Sequence, residues 1–526
     1  MIKSISTKKV LLLASLAVVF LVSTADANNL ALSNLAIASQ STSSDTVTLQ
    51  FDISWSNSWR DSTNYDAAWV FVKYSTDSGT TWNHATMKTA GTNPSGFSQG
   101  SGTGIDVVVP SDKKGCFVQR SSQGSGSLST TSIQVVWDYA ADGLSDAAAT
   151  ATNIHFKFFG IEMVYVPEGG FHAGDSTGGT NGEFQWEASL PGVINSEATE
   201  MSFEASVGAI NTWYYTSDTG GSDDVVSGTI FTVGTSFPKG YMAFYLMKYE
   251  ITEGQWVEFF NTLTSAQKTT RDITAATGKN SDSTVSRNTL SWSSGDATTT
   301  RTDRACSYLS WMDVVAYADW AALRPMSELE FEKVSRGPLY PVAGEYAWGS
   351  SAITAAATIS GTEDGTETIT TSNAKANYNS TTFSGGDTSS GPLRAGILAT
   401  SSTTTRILSG GSYYGVMDLS GNVWERAVTV GNSAGRGFAG THGDGVLTTT
   451  ASYEGNATNM DWSGLDSTSN IRGITGASGS GLRGGGWAVS TANVARLAAS
   501  NRYKAGTTDA TRTNDYGGRC ARTASS

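Results

Sequence analysis

The sequence predicts an N-terminal all-β sandwich followed by an α+β domain. Between residues 28 and 160 apolar and polar residues alternate, which is the pattern of half-buried strands. After residue 160 three short helix starts appear among long loops rich in Ser, Thr and Gly. The composition agrees, because only 15% of the 526 residues are charged and 58 are glycine, which suits strands joined by turns.

The first 27 residues have the pattern of a secretory signal peptide. Lysines precede an apolar run, and a small-x-small cleavage pattern follows it: Lys3, Lys8, Lys9, then Val10 to Val22, then Ala25 to Ala27. The run is too short for a comfortable membrane span. We therefore expect a mature protein that is secreted, periplasmic or at the cell surface, with no membrane span after signal cleavage.

Residues 28–160 are predicted to form the β-sandwich domain. The clearest alternation is Val47, Leu49, Phe51, Ile53 and Trp55. Similar short runs, separated by Gly, Ser and Asp turns at the spacing of a sandwich, lie at 68–74, 105–109, 133–139 and 154–158.

The three helix starts are capping boxes, in which a Ser or Thr and a side chain three residues later cap each other's backbone N–H groups. The pairs are Thr252 with Gln255, Ser310 with Asp313, and Ser327 with Glu330. Long polar stretches surround them, at about 175–230, 265–300, 350–375, 397–410 and 430–480, and are interpreted as surface loops and insertions of one compact domain.

Charge and composition exclude several function classes. The net charge is −13 and no basic block is present, so no nucleic-acid partner is expected. The four histidines lie far apart, without the spacing of a zinc or non-haem iron site. Three cysteines are too few for a disulfide scaffold.

Six ordered motifs then resemble one family. They are the segments at 163–171, 247–252, 309–320, 323–333 and 417–425, and the pair 482–487 with 517–519. Met417 to Glu425 reads MDLSGNVWE, and Leu482 to Trp487 reads LRGGGW. These segments resemble the formylglycine-generating-enzyme (sulfatase-modifying factor) family, over residues 161–523. The resemblance implies a fold like that of C-type lectins.

The resemblance also indicates what this chain lacks. Family enzymes hold copper between two cysteines, and those positions fall on Val489 and Val494. Thiolates are the ligands that hold Cu(I), so no copper and no formylglycine-generating activity are expected. The family's active-site serine falls on Gly486.

Calcium is the cofactor that the resemblance implies, in a structural role. At the first site Asp418 and Glu425 would bind through side chains and Gly421 and Val423 through carbonyl oxygens, which is the oxygen-rich donor set that calcium prefers. The alternative is that Asp418 and Glu425 only cap a turn. The second family site falls on Asn377, Tyr378, Asp387 and Ser389.

The cysteines leave one pairing open. Cys306 precedes a family strand and Cys520 lies in the last strand, so the two could form a disulfide in an exported protein, with Cys116 as the free thiol.

The interpretation that follows is a non-catalytic binding protein for a polar extracellular ligand, a glycan or a protein. The predicted binding face is Trp487 to Tyr516 with the 430–480 insertion, and its predicted ligand-binding residues are Asn493, Asn501, Arg502 and Tyr503. Three alternatives remain: an enzyme of unknown chemistry in the same cleft, a structural cell-surface protein, and a receptor with a diversified C-terminal region.

Overall fold

The computed structural model describes residues 20–21, 29–177, 182–187, 190–218, 220 and 224–524. The predicted signal peptide lies outside the described residues, apart from a two-residue strand, β1, at Phe20–Leu21. The chain is mostly β with few helices, as the sequence predicts. Within the described ranges no helix has both the length and the apolar character that crossing a membrane requires.

The strands predicted for the first part are present. They are β2 (Ala31–Ser41), β3 (Thr46–Arg60), β4 (Tyr65–Ser75), β5 (Asn83–His84), β6 (Gly91–Thr92), β7 (Ser101–Gly102), β8 (Ile105–Val109), β9 (Cys116–Arg120), β10 (Gly124–Asp138) and β11 (His155–Val166). In β3 every second residue from Val47 to Trp55 is buried, so the predicted alternation is confirmed.

Shorter strands follow. They are β12 (Phe171–Ala173), β13 (Gln185–Trp186), β14 (Gly192–Ile194), β15 (Met201–Glu204), β16 (Trp213–Tyr214), β17 (Phe231–Val233), β18 (Phe244–Met247), β19 (Arg324–Pro325), β20 (Ile359–Ser360), β21 (Thr368–Ile369), β22 (Trp424–Val428), β23 (Ser480–Arg483), β24 (Tyr516–Gly517) and β25 (Cys520–Thr523). Strands β13, β16, β15 and β17 form a small separate sheet in the insertion before residue 235.

The helices are short. They are α1 (Asp146–Ala149), α2 (Glu253–Phe260), α3 (Ser265–Arg271), α4 (Trp311–Trp320), α5 (Glu328–Arg336), α6 (Arg406–Ser409) and α7 (Ser433–Arg436), with 3-10 turns at Asn470–Arg472 and Thr491–Leu497. All three predicted capping boxes are confirmed, at the starts of α2, α4 and α5. Sequence reading missed a fourth, Thr264 with Gln267, at the start of α3.

One 14-stranded sheet runs through both halves of the chain. Its main path is β19-β25-β18-β11-β4-β3-β10-β7. Strand β4 meets β3 only at the pair Arg60 and Tyr65, whereas it pairs with β11 along its whole length. The strands of the predicted sandwich therefore form two groups that join at this corner and share one hydrophobic core.

The predicted boundary at residues 160 and 161 falls inside β11. Residues 155–165 of this strand pair with β4, and residues 163–166 pair with β18 on the other side. Because β4 lies between two cores, its alternate residues pack in opposite directions: Ala68 and Val70 into the N-terminal core, Trp69 and Phe71 into the C-terminal one. The two predicted parts are thus continuous in hydrogen bonding and in packing.

The cysteines are all free thiols and all buried. The disulfide considered between Cys306 and Cys520 is absent, although both residues belong to the same hydrophobic cluster. Burial raises the pKa of Cys116 to about 12, and it also raises the pKa of Cys306 and Cys520. These thiols are therefore protonated core residues.

Candidate functional site

Buried arginine–carboxylate pairs hold the motif segments together. Arg324 forms two hydrogen bonds with Glu330, with N···O distances of 2.9 and 2.6 Å. Arg483 joins two carboxylates of α5, at 3.0 Å to Glu328 and 2.9 Å to Glu332. Arg324 and Arg483 are therefore both buried and hydrogen-bonded within the fold.

The glycine-rich turn after Arg483 needs its glycines. Gly484 and Gly485 have φ angles of +85° and +73°, which disfavour residues with a Cβ atom. A Cβ atom on Gly486 would lie 3.0 Å from Trp424 and from the carbonyl oxygen of Asp515. The turn is therefore fixed against the loop that carries the predicted calcium ligands.

At the first predicted calcium site the structure places a guanidinium group. Both carboxylate oxygens of Glu425 accept hydrogen bonds from Arg519, at 2.6 and 2.7 Å, and both residues are fully buried. Arg519 also donates to the carbonyl oxygen of Met417 at 2.8 Å. As arranged, this donor set does not fit Ca²⁺, because the ion would have to displace Arg519 from Glu425.

Other residues of this loop also form hydrogen bonds within the protein. Asp418 accepts a hydrogen bond from the backbone N–H of Gly396 at 2.6 Å, and its φ angle is +62°. The N–H of Gly421 donates to the carbonyl of Gly484 at 2.9 Å, and the N–H of Val423 donates to Glu250 at 3.0 Å.

Glu250 is a third carboxylate near this loop. Burial raises its pKa well above the ordinary value, and the nearby charges of Asp418 and Glu425 raise it further, whereas Arg519 lowers it. Burial raises the pKa of Asp418 and Glu425 as well. Three carboxyl groups thus share the field of one arginine, and sequence reading did not identify Glu250 as part of this cluster.

At the second predicted calcium site a predicted carboxylate ligand is again paired with arginine. Asp387 forms ion pairs with Arg287 and with Arg304, the latter at 3.5 Å, and Ser389 donates to Asp387 at 2.9 Å. Asn377 points elsewhere: its amide donates to Asn422 at 3.0 Å, which connects the two predicted sites. Tyr378 is buried in an apolar cluster. Calcium binding at both sites stays a prediction from the resemblance.

The two positions that the resemblance assigns to the copper cysteines are packed against other side chains. Val489 is buried and Val494 is half-buried, and both lie in one cluster with Tyr346, Trp348 and Trp424. Val489 and Val494 are therefore packed with apolar and aromatic side chains.

The predicted ligand-binding residues differ in their exposure to solvent. Asn493 is exposed, and Tyr503 is half-buried with the guanidinium carbon of Arg496 at 3.5 Å from its ring centroid. Asn501 is 2% exposed and Arg502 is 0% exposed. The prediction that Asn501 and Arg502 belong to a surface binding face therefore needs correction.

Arg502 is part of the arginine–carboxylate frame. Its guanidinium donates to Glu328 at 2.7 Å, to the carbonyl of Gly182 at 2.9 Å and to the hydroxyl of Tyr215 at 2.8 Å. Every strong partner lies more than a hundred residues away in the sequence, which is why the local pattern did not reveal its burial.

A surface pocket lies in the insertion, where sequence reading placed only loops. We call it the insertion pocket; its volume is about 330 Å³. Its apolar residues are Trp186, Pro191, Val193, Ile194, Met201 and Trp213. Its polar residues are Asn195, Ser196, Thr199, Glu200, Ser202, Asn211 and Lys239.

Aromatic contacts fix the floor of the insertion pocket. The rings of Trp186 and Trp213 meet edge to face with centroids 5.3 Å apart. A Cβ atom on Gly192 would lie 2.2 Å from the Trp213 ring, so only glycine permits this close approach of β14. Lys239 is held by the carbonyl oxygens of Glu197 and Gly234, at 2.8 and 2.7 Å.

The comparisons identify the second half of the chain. Residues 235–524 match the model of the sulfatase-modifying factor enzyme 1-like domain. These residues contain five of the six motifs and exclude the first, at 163–171. No curated protein matches the chain. Because the family model covers more than half of the sequence, the chain belongs to the sulfatase-modifying factor enzyme 1-like family.

Proposed function

We propose that this protein is a non-catalytic member of its family that binds a polar extracellular ligand, most simply a glycan. The observation that carries the proposal is the insertion pocket, whose lining combines two tryptophans with amide, hydroxyl and charged side chains. Ligand sites are concave and mainly apolar, with a few polar groups that fix orientation. A volume of about 330 Å³ is at the lower end of ligand pockets, which suits one or two sugar rings.

The chemistry of the rim supports a sugar. The C–H face of a sugar ring is apolar and packs on an aromatic ring, while its hydroxyls need donors and acceptors. Trp186 is half-buried, so part of its ring is open to solvent, and the side chains of Asn195 and Asn211 are exposed beside it. Such groups support reversible binding.

The two positions that the resemblance assigns to the copper cysteines favour binding over oxidation. Val489 and Val494 carry no thiol, and the chain's three thiols are buried with raised pKa values. Reactive cysteines are partly exposed with lowered pKa values. Glu328, Glu332 and Glu425 are also paired with arginines, which leaves these three carboxylates poorly placed for acid–base chemistry.

The proposal includes export and fold. Export to the periplasm, the cell surface or the medium rests on the sequence of residues 1–27. A C-type-lectin-like arrangement of the family domain rests on family membership.

The test is a glycan array probed with the purified protein, followed by calorimetry on each glycan that binds. We expect Trp186→Ala to weaken binding at least tenfold, because it removes the stacking surface. Trp82→Ala is the matched control, since Trp82 is also half-buried but lies outside the insertion pocket. Equal loss in both variants, or no glycan bound by the unmodified protein, would contradict the proposal and favour a structural role.

A further inference from the structure

A second pocket lies where the N-terminal strands meet the family domain. One wall is the end of β3 with Trp59 and the following turn with Asp61, and the other is the segment from Thr403 to Met417. We call it the seam pocket; its volume is about 310 Å³. It is separate from the insertion pocket, and it shares no lining residue with it.

The seam pocket contains an unpaired guanidinium group. Arg406 forms no ion pair or hydrogen bond with any residue that the structure describes, and its buried Nη1 atom has no partner. Its guanidinium carbon lies 5.3 Å from the centroid of the Tyr413 ring, and the group also packs against Gly349, where an added Cβ atom would lie 2.2 Å from Nη2. The nearby acid Glu345 is bound to Arg336 instead. Buried donors are almost always satisfied, so this group indicates a missing acceptor.

Arg406 is half-buried, and its lack of a carboxylate partner distinguishes it from most of the fully buried arginines of the described residues. Arg324, Arg483, Arg502 and Arg519 each have a carboxylate partner. A guanidinium group matches the two oxygens of a carboxylate with two parallel hydrogen bonds. The acceptor that Arg406 lacks is therefore best supplied by a carboxylate from outside the chain.

The other groups of the seam pocket match a sugar. The hydroxyl oxygen of Ser412 accepts the N–H of Val416 at 3.0 Å, and that of Ser409 accepts the N–H of Gly411 at 3.4 Å, so each hydroxyl proton is left to donate. Tyr413 is 36% exposed and offers an aromatic face. Sugar hydroxyls and the apolar face of a sugar ring need these two kinds of partner.

Asp61 is the one carboxylate in the lining, and its position has to be accounted for. Its Oδ1 atom accepts the backbone N–H groups of Thr63 and Asn64, at 2.6 and 2.9 Å. These bonds disperse part of its charge, and its Oδ2 atom is left to accept a sugar hydroxyl. An acidic sugar carries both the carboxylate for Arg406 and the hydroxyls for Asp61.

We propose that the seam pocket binds a uronic acid residue, with its carboxylate on Arg406 and its ring against Tyr413. The geometry uses residues of both halves of the chain, so the site exists only when they are packed together. The proposal is independent of whether the insertion pocket binds a glycan.

The experiment is calorimetry of the full chain with trigalacturonate, and with its carboxyl-reduced neutral form as the second probe. We expect trigalacturonate to bind the unmodified protein, the neutral form to bind at least tenfold more weakly, and added salt to weaken the acidic probe selectively. Arg406→Gln should lower trigalacturonate affinity at least tenfold.

Arg496→Gln is the matched control, because Arg496 also stacks on a tyrosine but lies outside the seam pocket. Tyr413→Ala is a second variant for the case in which Arg406→Gln does not fold, and it should also weaken binding. The proposal is overturned if trigalacturonate does not bind, if both probes bind equally, or if Arg406→Gln binds like Arg496→Gln.

Discussion

Arg502 and Asn493 lie close in the sequence but in opposite environments. Arg502 is completely buried against Glu328, whereas Asn493 is exposed and donates only to Ser490 at 3.0 Å. Both residue types are common on binding surfaces, so composition alone treats them alike. They differ because folding places a buried carboxylate, that of Glu328, beside Arg502.

This contrast predicts different effects on stability. Arg502→Ala should lower the free energy of unfolding by about 3 kcal/mol, because it removes one partner of a buried ion pair. Asn493→Ala should change it by less than about 0.5 kcal/mol, as is usual at exposed sites. Urea unfolding of both variants measures the difference, and equal stabilities would show that Arg502 lies at the surface.

At the scale of single elements, the loop from Asp418 to Glu425 is where the predicted calcium site can be tested. The resemblance predicts a calcium ion here, whereas in the structure Arg519 donates hydrogen bonds to both carboxylate oxygens of Glu425. A buried arginine and a bound cation supply positive charge to the same carboxylates, so one replaces the other. The loop can therefore be held without a metal.

Removal of calcium by a chelator distinguishes a loop held by calcium from a loop held by Arg519. Because Arg519 already neutralises Glu425, we expect the melting temperature to be the same in calcium and in chelator. A calcium site at 100 times its dissociation constant would instead add about 2.7 kcal/mol of stability. If calcium raises the melting temperature of the unmodified protein but not that of Asp418→Ala, the loop binds calcium and this prediction is wrong.

The sequence predicts local features well and long-range ones poorly. Capping boxes and strand alternation depend on neighbours within a few residues, so Ser327 with Glu330 and Val47 to Trp55 are correct. The burial of Arg502 depends on Glu328, and the insertion pocket on strands brought together only by folding. Local sequence carries no sign of such partners, since side-chain pairing across the fold is set by topology.

At the scale of the whole molecule, the two predicted parts share contacts that each needs. Trp69 donates to the carbonyl of Ala321 at 2.8 Å, and Phe71 packs edge to face on Trp320 at 5.1 Å. Asp112 pairs with Arg522 of the last strand. The core of the family domain is therefore completed by residues that precede it in the chain.

We expect the full chain to unfold in one cooperative transition by calorimetry, and a fragment of residues 161–524 to fail to fold alone. Cutting at residue 160 divides β11 and exposes the apolar surface that Trp69 and Phe71 cover. Trp69→Ala should lower the single transition temperature without splitting it. Two separate transitions, or a stable fragment, would show that the parts are independent.

Strand β11 also bears on how such a chain can change in evolution. A unit that ends in a loop can be moved between proteins as a cassette, but a unit whose last strand is also the first strand of its neighbour cannot. Transfer of residues 28–160 alone would remove residues 161–165 of β11, nearly half of the segment from His155 to Tyr165 with which β4 pairs. Gain or loss of the N-terminal half therefore has to preserve the register of β11 against both β4 and β18.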